Sequence, residues 1–208
     1  MEDHTVAYGM VKSSTNRGTP TAPEKPLDRA RWLEAALDAL AAGGVGLVRV
    51  EVLARTLGVT KGSFYWHFKD RGALLAALLA QWRDGRVASI AAQAAASRGA
   101  DAAPAVRLRR LLDLYLDHAN PRGMAIELAM RDWARRDAAA AAAVASVDAA
   151  RLATLVPLYR ALGHARQEAQ ARALALYAFI FGQSLIVEGV ATAEARDLRE
   201  RCARLLIG

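Results

Sequence analysis

The sequence has little that would cross-link the chain, anchor it in a membrane or direct its export. Its 208 residues include one cysteine, Cys202, which excludes an intrachain disulfide and a zinc site built from several cysteines. No stretch of about 18 residues is both apolar and uncharged, so we expect no membrane span. The first residues, MEDHTVAYGM, lack the basic-then-apolar order of a signal peptide. We expect a soluble cytoplasmic protein, and Met10 is an alternative start that the sequence does not decide.

Motifs of catalysis and of metal or cofactor binding are also missing. The sequence contains no GxSxG, no phosphate-binding loop and no HExxH. Its four histidines, His4, His67, His118 and His164, have no ligand-like spacing to one another or to Cys202. We therefore expect neither an enzyme, nor a cofactor, nor a metal site.

Alanine and other apolar residues dominate what is present. The chain is 54% hydrophobic, and proline and glycine are scarce inside the apolar stretches, which favours helices. The net charge is +7, of which residues 27–79 carry +2 and residues 80–208 carry +5. A positive charge assists approach to nucleic acid. Because the excess is not concentrated in one segment, a motif has to identify the binding surface.

The stretch from Leu47 to Leu79 predicts two short helices joined by a sharp turn. Apolar residues spaced like one helix face form the first helix: Val50, Leu53, Ala54 and Leu57. Gly58 suits the turn, and Thr60 can cap a second helix. On that helix Phe64 and Phe68 lie four residues apart and can bury against the first. Its other side carries Lys61, Gly62, Ser63, Tyr65 and Trp66. This arrangement predicts a helix-turn-helix.

The segment GVTKGSFYWHFKDR closely resembles the DNA-binding head of the tetracycline-repressor (TetR) family of bacterial regulators. The resemblance covers residues 27–79, a quarter of the chain, and beyond them it is one of helical layout. It implies a homodimeric repressor with a double-stranded DNA operator and a small-molecule effector as partners. The alternatives are an activator that uses the same head, and a helical ligand-binding protein or enzyme with a vestigial head.

The predicted fold is all-α, with about nine helices in a three-helix head and a C-terminal bundle. Residues 1–26 are expected to form a disordered arm, residues 27–79 the DNA-binding domain, and residues 80–208 the ligand-binding and dimerisation domain. The expected helices are Leu27–Ala42, Val50–Leu57, one from Thr60, Arg71–Ser97, Val106–His118, Arg122–Arg136, one capped by Asp137 that runs to Gly163, Gln167–Val190 and Ala193–Leu206. Pro157 lies inside the seventh helix and predicts a kink.

DNA contacts are assigned to the second short helix and its flanks: Arg49, Thr60, Lys61, Gly62, Ser63, Tyr65, Trp66, His67, Lys69 and Arg71. Lys61 begins the helix, where side chains meet base edges, and a lysine can donate to guanine. Gly62 lets the backbone approach the duplex. Arg49 either reaches a phosphate or is solvated, and Thr60 either donates to a phosphate or only caps. The resemblance makes Tyr65 a phosphate or base contact.

The end of the segment is expected to contact the DNA backbone. Trp66 faces away from Phe64 and can touch the sugar-phosphate. His67 is expected to hydrogen-bond to a phosphate or to the core. Lys69 and Arg71 start the long helix, where positive side chains and free amides favour a phosphate.

The resemblance places an effector pocket among the body helices. Its candidate lining residues are Trp82, Arg86, Tyr115, Met124, Glu127, Met130, Trp133 and Tyr159. These side chains suit an adaptable apolar cavity, but core filling explains each of them as well. Arg86 and Glu127 are costly to bury unpaired, which favours them as pocket residues if both point inward. Otherwise Glu127 is a solvated residue beside Arg131. The expected effector is small and mostly apolar.

The last two helices combine large apolar side chains with small neighbours. Such helices can approach closely and form a symmetric four-helix interface between two copies. The interface candidates are Leu174, Tyr177, Phe181, Leu185, Leu198, Cys202 and Leu205. The alternative is that these residues complete the monomer core. The resemblance favours the dimer.

Overall fold

The computed structural model describes residues 28–98, 103–116, 121–186 and 193–207. In these ranges the chain forms nine α-helices, one short 3₁₀ turn and no strand, which confirms the all-α prediction. The expected arm over residues 1–26, Met10 and His118 lie outside the described residues.

The helices follow the expected order. They are α1 Arg29–Gly43, α2 Val50–Leu57, α3 Lys61–Tyr65, α4 Arg71–Arg98, α5 Pro104–Leu116, α6 Pro121–Ala134, α7 Ala138–Ala161, α8 Arg166–Leu185 and α9 Ala193–Ile207. The bounds agree with the predicted ones within a few residues, except that α8 ends before the expected Val190. The sequence analysis missed the 3₁₀ turn at Val45–Leu47. Pro157 lies inside α7 as expected, and the kink stays a prediction.

Aromatic side chains hold the three helices of the head together. Trp32 of α1 and Phe64 of α3 are fully buried and meet edge to face, with ring centroids 5.3 Å apart. Phe68 stacks on Phe64 at 5.4 Å. Burying each of these rings contributes about 1.5–3 kcal/mol to stability. The structural roles expected for Phe64 and Phe68 are thus confirmed.

Helix ends are capped mostly as the sequence indicates. Gly58 ends α2 in the left-handed conformation, with φ 68°, and Asp137 accepts a hydrogen bond from the Ala140 amide at the start of α7. The expected cap at Thr60 is wrong, because its side chain makes no capping hydrogen bond to α3 among the described residues. The turn after Gly58 therefore positions α3 without that bond.

Two connections join the head to the body. The long helix α4 buries Leu74 and Leu78 in the head core and carries Trp82 and Ile90 into the body side of the same apolar cluster. The second connection is between α1 and α6, where Arg122 bridges to both carboxylates of α1, Asp38 at 2.6 Å and Glu34 at 2.8 Å. No local pattern in the sequence indicates the second connection. Both α4 and α6 therefore contact the head.

Helix α7 is the centre of the body. It contacts α4, α5, α6 and α8, and its alanines permit this close packing. By length and composition it is the one described helix that is apolar enough to cross a membrane, although Asp148 and Arg151 lie within it. Arg151 is buried against other helices of this same chain. The apolar surface of α7 thus serves helix packing.

Candidate nucleic-acid interface and effector cavity

Helix α3 presents two aromatic side chains above a buried ring. Phe64 is fully buried, whereas Tyr65 is 62% exposed and Trp66 is 88% exposed. The Tyr65 ring meets Phe64 edge to face at 5.3 Å, so the buried ring positions the exposed one. An exposed pair of large rings beside Lys61 and Ser63 is suited to a partner that offers both flat bases and phosphates.

Lys61 forms an ion pair across the turn with Glu51 of α2. The two charged groups are 2.9 Å apart, and each side chain is more than half exposed. The hydrogen bond from Lys61 lowers the pKa of Glu51, which keeps its carboxyl ionised. Lys61 therefore already has a partner in the free protein and must exchange it to reach a base. The sequence did not predict this ion pair, because local periodicity does not relate Glu51 to a residue of the next helix.

Packing among the described residues does not require a glycine at position 62. A Cβ built there would lie 3.6 Å from the Thr60 Oγ1 atom, which is an ordinary contact. Thr60 and Gly62 are both exposed. Close approach of an outside partner therefore remains the function predicted for Gly62.

Arg71 ties the start of α4 to the 3₁₀ turn of the head. Its guanidinium donates to the Val48 carbonyl at 2.6 Å and to the Val45 carbonyl at 2.7 Å. Asp70 accepts a hydrogen bond from the Ala73 amide at 2.8 Å, so one of the amides expected to be free for a phosphate is already used. Arg71 is thus a structural residue of the head in the free protein, and its phosphate contact stays a prediction.

The other predicted DNA contacts differ in exposure. Arg49 precedes α2 and is exposed, as is Lys69, whereas Ser63 and His67 are partly buried. Their contacts with DNA stay predictions.

A charged cluster lies inside the body. Glu127 of α6 and Arg151 of α7 are only 2% and 6% exposed, and they pair through two hydrogen bonds of 2.6 and 3.1 Å. Arg86 of α4 reaches the same carboxylate at 2.9 Å. Arg86 and Glu127 therefore both point inward and pair, as one alternative predicted. The other alternative, a solvated Glu127 beside Arg131, is wrong.

The cluster continues through Tyr177 of α8. Arg131 pairs with Asp148 through bonds of 2.7 and 3.1 Å. The Tyr177 hydroxyl donates to Asp148 at 2.6 Å and accepts from Arg131 at 2.6 Å and from Arg151 at 2.9 Å. Burial raises the pKa of Tyr177 far above its usual value, so the hydroxyl keeps its proton. Burial opposes ionisation of Asp148 as well, but the bonds from Arg131 and Tyr177 outweigh it and lower the pKa of that carboxyl.

A small cavity of about 40 Å³ adjoins this cluster. Apolar side chains of α4, α5, α7 and α8 line it, and Arg151, Tyr177, Thr154 and Gln93 supply its polar groups. Since a water needs about 10–15 Å³, the cavity holds a few waters or one small chemical group.

Most of the predicted pocket residues lie elsewhere. Trp82, Met130 and Trp133 belong to the apolar cluster shared with the head, and Tyr159 to the other core, where its hydroxyl donates to the Leu206 carbonyl at 2.8 Å. The core-filling alternative therefore holds for these four. Arg86 and Trp82 line a separate crevice beside α6, Met124 is half-buried, and the Tyr115 side chain is outside what the structure describes. The sequence analysis missed Arg151, although an arginine within an apolar helix was a signal for a buried charge.

The face formed by α8 and α9 is apolar and largely uncovered. Four of the predicted interface residues are exposed: Leu174, Leu185, Leu198 and Leu205. Phe181 and Cys202 are half-buried. Tyr177 is a correction, because it is buried inside the protomer and belongs to the charged cluster. The monomer-core alternative thus applies to Tyr177 and fails for the four exposed leucines.

Known proteins match the head most strongly. The family of bacterial regulatory proteins described as tetR matches residues 33–78, which run from α1 through α2 and α3 into α4. Residues 33–78 of this chain are therefore similar to the DNA-binding head of the tetR family of bacterial regulatory proteins. The helix-turn-helix described above is the DNA-binding element of that family.

A relative from Pseudomonas putida likewise matches a short part of this chain. The HTH-type transcriptional regulator SrpR is 42% identical over 60 residues, which cover 29% of this chain and 28% of SrpR. The match therefore spans less than a third of that relative. At 60 residues it leaves most of this chain unmatched.

Solved structures match the head and the body together. A regulator from Rhodococcus sp. assigned to the TetR family is 26% identical, with a TM-score of 0.61 and coverage of 86% of this chain and 98% of that one. A protein from Saccharomonospora viridis in complex with choline gives a TM-score of 0.68 at 20% identity, and covers 86% and 94%. At that identity the likeness shows the fold alone.

Proposed function

We propose that this protein is a homodimeric transcriptional repressor of the cytoplasm, released from a near-palindromic operator by a small effector. One observation supports it most. Tyr65 is exposed and packs on the buried Phe64, and the exposed Trp66 follows directly, at the end of a helix that begins with Lys61 and Gly62. This surface combines hydrogen-bond donors with flat rings and lies on a rigid support, as base and phosphate contacts require.

The dimer follows from the size of α3. Five helical residues reach few base pairs, so useful affinity needs two copies across a dyad. Two such helices would lie about one DNA turn apart, roughly 34–36 Å. The exposed leucines of α8 and α9 supply an apolar surface that a second copy would cover.

For an effector to release the protein from DNA, its binding to the body must change the distance between the two heads of the dimer. The helix α4 and the Arg122 contact between α6 and α1 are the two connections that would transmit such a change. An effector that prefers the wrongly spaced state weakens DNA binding by its differential affinity. The choline complex of the Saccharomonospora viridis protein shows that this fold accommodates a ligand, but its ligand is not transferred at 20% identity.

An activator on the same head is the second candidate, since the recognition surface would be identical. Footprinting combined with a transcription assay on the bound promoter separates the two. A helical enzyme or ligand carrier with a vestigial head is disfavoured by the exposed rings of α3, which a vestigial head has no reason to retain.

The test is retardation of the DNA fragment upstream of the protein's own gene. We expect Lys61→Ala and Tyr65→Ala each to weaken binding by at least about tenfold, because one good base contact contributes about 1–3 kcal/mol. Circular dichroism and the dimer mass should not change. Arg136→Ala, at an exposed arginine outside the head, is the matched control and should bind normally. Normal binding by both head variants would remove the assignment of α3.

A further inference from the structure

The charged cluster of the body carries an excess of positive charge. Three guanidiniums, those of Arg86, Arg131 and Arg151, share two carboxylates, those of Glu127 and Asp148. The fourth polar partner, Tyr177, is neutral because burial raises its pKa. Within the ion pairs described for this cluster the arginines outnumber the carboxylates, which favours an anion over a cation.

The cavity opens onto the positive part of this cluster. Arg151 and Tyr177 line it, whereas neither Glu127 nor Asp148 does. The remaining wall is apolar apart from Thr154 and Gln93, which are neutral hydrogen-bonding groups. A ligand in this cavity would therefore meet one guanidinium and no carboxylate.

Arginine side chains of the cluster already pack over its two aromatic rings. The Arg131 guanidinium lies 4.3 Å from the Phe181 ring centroid and 5.6 Å from that of Tyr177. Arg151 lies 5.6 Å from each of the same rings. A quaternary ammonium ligand needs free aromatic faces, and it would add a positive charge to a site that already has an excess. The cluster thus disfavours a cation.

We propose that this cavity binds a small organic acid, with an apolar body among the side chains of α5, α7 and α8 and an anionic group paired with Arg151. That this acid is the effector rests on the function proposed above. The proposal adds the chemical class of the effector.

The same contacts give the acid a route to the head. Glu127 divides its carboxylate between Arg151, on the cavity, and Arg86, on α4. A ligand carboxylate that pairs with Arg151 weakens the bond from Arg151 to Glu127 and leaves that carboxylate to Arg86. The pairing of α6 with α4 is then altered, and α4 begins in the head.

Calorimetric titration of the dialysed protein, without DNA, tests the proposal. The probes are acetate, propanoate and butanoate, which match a cavity for a few waters, each with the alcohol and the amine of the same skeleton. We expect at least one acid to bind saturably and about tenfold or more tighter than its alcohol, and the amines not to bind. The proposal is wrong if no acid binds, or if an alcohol or amine binds as tightly as its acid.

A double variant tests the assigned residue. Arg151→Met combined with Glu127→Gln removes both charges of the most buried pair. Arg86 also loses the Glu127 carboxylate, but it is 27% exposed and can still donate to the glutamine oxygen. We expect the preference for acid over alcohol to fall to about twofold, whereas Arg136→Ala keeps it. An unchanged preference in a folded double variant overturns the role of Arg151. If the double variant does not fold, the titrations of the wild-type protein with the acids, alcohols and amines decide whether the proposal holds. Because no DNA is present, a failure of operator binding leaves this result intact.

Discussion

Glu51 holds Lys61 in an ion pair in the free protein, and this pair sets part of the cost of binding DNA. Both side chains are more than half exposed, with 2.9 Å between the charged atoms. Exposed pairs of this kind contribute little because solvent screens them, so a guanine or a phosphate can replace Glu51 at small cost. After the exchange, the carboxylate remains close to a polyanion and opposes binding.

We predict that Glu51→Gln tightens DNA binding by about two- to fivefold, which corresponds to the free energy of an exposed ion pair. The gain should be largest at low salt, because the removed repulsion is screened as ionic strength rises. Gel retardation over a salt series measures it. Glu168→Gln, which alters an exposed ion pair on α8, is the control and should bind like the wild type. Weaker binding by Glu51→Gln would show that Glu51 supports Lys61 rather than competes for it.

At the scale of the element, the position of α4 in the head depends on a side chain that the sequence suggested as a phosphate contact. Arg71 donates two hydrogen bonds to carbonyls of the preceding turn, Val45 and Val48. Leu74 and Leu78 then bury the same helix in the head core. The first turn of α4 is therefore fixed in the head by both polar and apolar contacts.

We predict that Arg71→Met lowers the free energy of unfolding by about 1–3 kcal/mol, because two carbonyl acceptors lose a charged donor. Thermal unfolding followed by circular dichroism measures the change. Lys69→Met, which removes an exposed positive charge two residues earlier, should unfold like the wild type. Equal stability of the two variants would contradict the structural role of Arg71 and leave only its predicted phosphate contact.

At the scale of the whole molecule, the apolar face of α8 and α9 has no cover within the described part of one chain. Leu205 is 79% exposed, and Leu174, Leu185 and Leu198 are also exposed. The two helices contact each other. A second copy of the chain related by two-fold symmetry would bury them, since such an interface pairs the same patch on both subunits.

We predict that Leu205→Glu converts the dimer to a monomer, because a carboxylate at the centre of an apolar interface loses its hydration without gaining a partner. Sedimentation velocity measures the mass, and retardation by the monomer should be lost with it. Val106→Glu changes an exposed apolar residue on α5 and should leave the dimer intact. A wild-type protein that sediments as a single subunit, or a Leu205→Glu variant that remains dimeric, would contradict the proposed assembly.

The sequence by itself determined the helices and the turn between α2 and α3. These features depend on neighbours within a few residues: the apolar spacing from Val50 to Leu57, the left-handed Gly58 and the cap at Asp137. Local rules of this kind need no knowledge of the rest of the chain. The exposed character of Tyr65 and Trp66 followed from the same helical spacing, because Phe64 and Phe68 take the buried side.

Only the tertiary structure decided which charged groups meet. Arg151 and Glu127 lie on different helices, as do Lys61 and Glu51, and no local pattern relates the members of either pair. Tyr177 was assigned to the interface as one of the large apolar side chains of the last two helices. Its hydroxyl instead hydrogen-bonds inside the protomer to Asp148 and two arginines. A buried charge is stable only beside a partner. That partner is supplied by the packing of distant helices, which the chain's local sequence does not specify.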